Sequence, residues 1–337
     1  MGWSRKHAVY GERYNPEKHR RPVPGSRPDR DAGETSGIAD NTRELAFAAV
    51  LVLVGIAALY PALHHRGSSL SSEIKAAKST PLNMKNWVNF TLLESHRVAH
   101  NTRIFRFELD PKASLGLQPI SHILVRGEVV NRRGRLEKIT RSYVPVSDLG
   151  ATGYFDLLIK ILPDGMLSQR IARLNPGDSL EMRGPVVELP YKANMKTHLG
   201  MIAGDIGITH MVQLIKAIVL NPNDYTQQVS LIYENESPED ILLKEELDKL
   251  SRAYPNFKVF YTVNIAGREW EGGVGHITAE MIYKALPHPS PNTLVLVAGP
   301  STFMDRVCGR KDQERYSGQV LGLLKQLGYK KEHVYKF

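Results

Sequence analysis

Thiols are almost absent from this chain: among its 337 residues there is one cysteine, Cys308. A lone cysteine forms no internal disulfide and builds no multi-cysteine metal site, which excludes zinc ribbons, iron–sulfur clusters and CxxCH haem attachment. Also lacking is any long basic run interleaved with aromatic residues. The net charge of +9 is spread along the chain, so nucleic acid is not an expected partner, and no metal-ligand set is expected either. Apolar residues, in contrast, are plentiful. The chain is 42% hydrophobic, with 27 glycines and 20 prolines, a globular rather than disordered or fibrous composition. Its length leaves room for two ordinary domains and something more.

Charge is missing altogether from residues 45–63, LAFAAVLVLVGIAALYPAL. As a helix at about 1.5 Å per residue this run spans roughly 28 Å, close to a bilayer core. It lacks the polar face of a soluble surface helix, and residues 1–44 precede it, too many for a cleaved signal peptide. The expectation is a single transmembrane helix. Residues 1–44 are rich in arginine, proline and glycine without an apolar period and read as disordered. Their basic first part, with Arg5, Lys6, Arg13 and Lys18, favours the cytosolic or matrix side. Nearer the anchor Arg27, Arg30 and Arg43 are balanced by Arg66, Lys75 and Lys78 on the other side, so orientation stays open. Glu12, Glu17 and Asp29 make the segment a poor transit peptide. A mitochondrial membrane is favoured, with the endoplasmic reticulum as the alternative.

Residues 64–86 read as a tether. From 87 to 192 the chain shows short alternating segments at Phe105 to Leu109, His122 to Val129, Tyr154 to Leu162 and Ser179 to Gly184, separated by turn signals such as RRG and NPGD. That pattern predicts an antiparallel barrel or sandwich. From 193 to 337 apolar strands (LGMIAG, VSLIYEN, FKVFYTV, TLVLVAGP) alternate with helices (HMVQLIKAIVL, DILLKEELDKL, SGQVLGLLKQLG). Such alternation predicts a three-layer α/β domain with a parallel sheet.

Three short motifs carry chemistry. AGDIGITHM, Ala203 to Met211, follows a strand and opens a helix; Gly204 and Gly207 allow a tight turn, and Thr209 is a candidate N-cap. A helix N-terminus at the carboxyl end of parallel strands attracts phosphate, but nonbinding turns of this kind also hold two glycines. RSYVPVS, Arg141 to Ser147, places a guanidinium beside an aromatic ring, suited to a phosphate and a planar ring or to an ordinary strand end. GMLSQ, Gly165 to Gln169, opens another helix with a serine.

Taken in order these motifs are decisive. With NTRIFRFEL, LGLQPISHI, YFDLLIKI, RGP, LIYENESPEDILLKEEL, GGVGHIT, VLVAGP and LGYKKEHVYKF, the chain from about Leu92 to Phe337 closely resembles the NADH-cytochrome b5 reductase family of ferredoxin reductase-like flavoproteins, as a divergent, membrane-anchored and fungal-type member. The resemblance implies an FAD-binding barrel and an NAD-binding α/β domain. It assigns FAD to Arg141, Tyr143, Lys160, Gly165, Leu167, Ser168 and Thr209, and NADH to Gly204, Gly207, Asp240, Gly299 and Pro300. Asp240 would accept from ribose hydroxyls and repel the extra phosphate of NADPH.

The sequence also departs from the family. Val144 replaces a threonine, and Asp205, Ile206 and His210 replace Gly, Thr and Pro of the glycine loop. Ala298 replaces the cysteine near the nicotinamide, Met166 stands where lysine is common, and Cys308 lies ten residues beyond Ala298. No catalytic side chain is therefore assigned. Asp205 would add a like charge near a diphosphate, at a cost of about 1 kcal/mol or more. FAD binding is expected to be retained and NADH use weakened or altered. The expected function is a membrane-anchored reductase passing electrons from NADH through FAD to a haem protein such as cytochrome b5. The alternatives are a mitochondrial inner-membrane flavoprotein acting in haem attachment to cytochrome c, and a pseudoreductase scaffold.

Overall fold

The computed structural model describes residues 81–130, 133–309 and 318–337. The expected membrane helix over 45–63, the segment 1–44 and most of the tether lie outside the described residues. Among the described helices none is long and apolar enough to cross a membrane.

The first sheet is antiparallel and six-stranded, in the order β4-β3-β6-β1-β2-β5. Its strands are β1 (Val88–Ala99), β2 (Thr102–Glu108), β3 (Ser121–Val130), β4 (Leu136–Tyr143), β5 (Tyr154–Lys160) and β6 (Ser179–Val187). A bridge from Pro145, just past β4, to Leu157 on β5 joins the two edges into a barrel. Alternation explains the filling: Phe105 and Phe107 on β2 point inward with Phe155 on β5, and Phe107 stacks on Phe155 at 5.4 Å between ring centroids. Between β5 and β6 lies α1 (Met166–Ala172).

The second sheet is parallel, in the order β10-β9-β8-β7-β11-β12. It comprises β7 (His198–Gly204), β8 (Gln228–Asn235), β9 (Phe257–Val263), β10 (Gly273–Val274), β11 (Thr293–Ala298) and β12 (Val334–Lys336). All six residues of β11 are buried, as expected of a strand covered on both faces. On one face α2 (Ile208–Val219) inserts Met211, Leu214, Ile215 and Ile218. On the other α4 (Ala279–Ala285), α5 (Ser301–Val307) and α6 (Gly322–Gln326) contribute Ile282, Phe303, Val307 and Leu324. The strand order reverses at β7, whose neighbours are β8 and β11, so the loops leaving β7 and β11 flank the crevice where such sheets place ligands.

Three local expectations need correction. The helix expected from Asp240 to Leu250 begins later, as α3 (Lys244–Ala253), after a 3-10 turn at Pro238–Asp240. Ile241 and Leu242 are instead buried in the core, and Leu243 turns the chain with φ of 59°. The last helix is α6 alone, preceded by non-helical Gly318 to Leu321. Thr209 does not cap α2: the Asp205–Gly207 3-10 turn runs straight into the helix, Gly207 takes the cap position, and the Thr209 hydroxyl donates to the Ile206 carbonyl at 3.1 Å.

Candidate functional site

All seven residues expected to hold FAD line one cavity of about 530 Å³: Arg141, Tyr143, Lys160, Gly165, Leu167, Ser168 and Thr209. β4 delivers Arg141 and Tyr143, β5 ends at Lys160, α1 brings Leu167 and Ser168, and Thr209 comes from the first turn of α2. Val144, Ala298, His210 and the Phe337 ring complete much of the apolar wall, with His210 and Phe337 rings 4.5 Å apart. Burial pushes the Tyr143 phenol up to about 12, against the pull of Arg141, so the ring presents a neutral face. The Arg141 guanidinium donates to the Thr140 carbonyl at 2.8 Å and, among the described residues, faces no carboxylate partner. A cation left uncompensated on a deep, mostly apolar cavity suits an anionic group attached to a planar ring.

The turn before α1 is built for closeness. A Cβ on Gly165 would lie 2.4 Å from the Ser168 hydroxyl. That hydroxyl is already committed, donating to Gly165 O at 2.9 Å and accepting from Leu162 N–H at 3.1 Å. Ser168 therefore shapes the turn, and Leu167 packs into the barrel core.

A second cavity of about 460 Å³ adjoins the first, and Lys160, Asp205 and Pro300 line both. Gly204 and Asp240 lie on this second cavity, while Gly207 and Gly299 line the first. The glycines are required here by the protein's own groups. A Cβ on Gly204 or Gly299 would strike the Phe303 ring at 2.8 and 2.5 Å, and one on Gly207 would sit 2.3 Å from the Ala298 carbonyl. Phe303 thus packs between the ends of β7 and β11.

Charge on the second cavity is crowded and mostly satisfied. Glu234, buried at the end of β8, accepts from Arg306 Nη2 at 2.6 and 2.8 Å, from the Ile277 N–H at 2.7 Å, and pairs with His276 Nδ1 at 2.9 Å. Asp240 lies 3.1 Å from His100 Nδ1 and accepts from the Ser237 hydroxyl at 2.9 Å. Asp205, at φ of 51°, forms an ion pair with Lys160, and its carbonyl accepts from the Tyr233 hydroxyl at 3.1 Å. Asp205 is thus neutralised by a lysine of the barrel rather than left bare. Four carboxylates (Asp205, Glu234, Glu236, Asp240) face two permanent cations (Lys160, Arg306) around this space, an excess that opposes an additional phosphate.

The α2 helix is fastened to the exit of β4. Gln213 Nε2 donates to both the Pro145 and Ser147 carbonyls at 2.7 Å, and Lys216 pairs with Asp148 at 2.8 Å. Cys308 is fully buried, and burial pushes its thiol up to about 12, so it does not take the place of the cysteine replaced by Ala298. Phe303, Arg306, Glu234, His100, Gln213 and Phe337 also line or brace the two cavities without having been expected there from the sequence. Only Phe303 left a signal: an aromatic five residues beyond Ala298, next to two glycine-bearing strand ends.

Comparison with known proteins agrees with this geometry. Residues 89–191 match the model of the oxidoreductase FAD-binding domain, and residues 201–309 that of the oxidoreductase NAD-binding domain. An Arabidopsis thaliana NADH-cytochrome b5 reductase-like protein is 51% identical over 259 residues, 77% of this chain and 79% of that protein. NADH-cytochrome b5 reductase 2 of Aspergillus niger is 36% identical over 299 residues, 87% of this chain and 91% of its own length. Among solved structures, the cytochrome b5 reductase domain of Ulva prolifera nitrate reductase superposes with a TM-score of 0.68 at 30% identity, covering 77% of this chain and 100% of that domain.

Proposed function

Because the chain belongs to the NADH-cytochrome b5 reductase family, and is an FAD- and NADH-dependent oxidoreductase, we propose that it delivers electrons from NADH to a one-electron haem-protein acceptor such as cytochrome b5. The observation that carries this reading is the junction of the two cavities at Lys160, Asp205 and Pro300. When bound, FAD supplies the chemistry that takes two electrons as a hydride and hands them on singly.

The chain's own residues hold and orient. Arg141 would meet the FAD diphosphate, Tyr143 would offer its ring face to the flavin, and Gly165 would allow the turn before α1 to approach. Gln213 fixes the α2 turn against the exit of β4, so that the two binding sites keep one spacing. Ala298 contributes shape and no thiol to the wall of the first cavity. Asp240, supported by Glu234 and Glu236, selects NADH over NADPH.

The same reading places the enzyme on a membrane through residues 45–63, supported by their uncharged 19-residue length, and on a mitochondrial membrane, supported by the basic composition before them. The net charge of +9 suits an acidic haem protein. In the test, full-length protein in detergent is mixed anaerobically with NADH and oxidised cytochrome b5. Haem reduction that requires all three components supports the proposal; haem that stays oxidised while NADH bleaches the flavin overturns cytochrome b5 as the acceptor.

A further inference from the structure

Lys160 ends β5 of the barrel, and Asp205 directly follows β7 of the parallel sheet, so their ion pair spans the two sheets. It also stands in the wall common to both cavities. The two side chains are 24% and 28% exposed, neither sunk in a core nor lost in solvent. The other permanent cation on the second cavity, Arg306, is held by Glu234, whose side chain is 8% exposed and also takes up the Ile277 N–H and His276. Both cations on that cavity are therefore engaged by carboxylates of the chain itself.

A dinucleotide diphosphate brings negative charge into this balance and has to draw on one of the two cations. Opening the Glu234–Arg306 contact strands a buried carboxylate, which is costly. Opening the Lys160–Asp205 contact exposes two partly solvated groups, which costs little. Asp205 cannot retreat far, because its carbonyl is held by Tyr233 and its backbone sits in the left-handed region. We propose that Asp205 is an affinity-setting residue: its carboxylate competes with the diphosphate of the incoming dinucleotide for Lys160, so that nucleotide binding and the Lys160–Asp205 pair exclude one another. The inference rests on the second cavity being the nucleotide site.

Asp205→Asn is the clean probe, since asparagine tolerates the left-handed backbone and keeps the side-chain volume while removing the charge. ADP-ribose, which carries the diphosphate without the redox ring, is titrated by calorimetry into full-length protein, into D205N, and into both forms with Lys160→Met or Lys160→Gln. The expected result is ADP-ribose binding roughly three- to tenfold tighter in D205N, with a steeper loss of affinity as salt rises. The gain disappears when Lys160 is replaced. Unchanged or weaker binding in D205N with FAD content intact overturns the proposal, as does a gain that survives loss of Lys160, which would mark plain repulsion. If neither ADP-ribose nor NADH binds any of the proteins, the cavity is not the nucleotide site and both readings fall; binding to the parent chain with no effect of D205N removes only this one.

Discussion

On the cavity proposed for FAD Arg141 keeps its charge unpaired among the described residues, whereas Lys160, on the wall shared by the two cavities, and Arg306, on the cavity proposed for the nucleotide, each rest against a carboxylate. The two sides also use glycine differently. Gly165 makes room for a tight turn, while Gly204 makes room for Phe303. The flavin side is thus arranged to receive an anion at once, and the nucleotide side has to exchange an internal partner for an external one. Tighter retention of FAD than of the nucleotide is the expected consequence of where the carboxylates stand, not of the number of cations.

The largest effect is expected where both sides depend on one contact. Gly207→Ala would push a Cβ to 2.3 Å from the Ala298 backbone carbonyl, separating the ends of β7 and β11. A loss of about 3 kcal/mol, or roughly 6–12 °C in Tm, is expected; calorimetry of the flavin-loaded protein checks it. Next, Arg141→Ala should weaken FAD binding by about 30-fold, the loss of a charge-assisted contact worth about 2 kcal/mol, with ADP-ribose affinity nearly unchanged. Fluorescence of released FAD measures the first and calorimetry the second, and a parallel loss of both affinities would erase the contrast between the sides.

Smaller changes sharpen the comparison. Asp240→Ala should improve the NADPH to NADH ratio of kcat/KM by about fivefold, on the order of 1 kcal/mol, and no further, because Glu234 and Glu236 remain on the cavity. The smallest effect is a null one. With its thiol pushed up to about 12 by burial, Cys308 is essentially all protonated at pH 8, and iodoacetamide should label it only after denaturation.

The fold was legible wherever burial imposed a period. The strands β7, β8 and β11, buried but for His198 and Gln228, and the apolar face of α2 are legible in place. β4 was hidden because it is almost wholly exposed, with Ile139 its one buried residue. β1 was hidden because irregularities at Leu92/Glu94 and Arg97/Ala99 break its alternation. The residues proposed for the cofactors follow from an ordered series of motifs, and the structure gathers them around two adjoining cavities. What could not be read was pairing across the chain: nothing in AGDIGITHM points to Lys160, 45 residues earlier, nor does Glu234 announce Arg306, 72 residues later. Hence Asp205 reads in sequence as a bare repulsive charge and in the structure as half of an ion pair.

The central claim is that the adjoining cavities bring NADH and FAD into direct contact. It is tested by anaerobic stopped-flow mixing of the FAD-loaded protein with NADH carrying deuterium at the transferred C4 position. The account predicts complete bleaching of the flavin by one equivalent of NADH, slowed by the deuterium, with NADPH far less effective. A flavin that stays oxidised under excess NADH would contradict it.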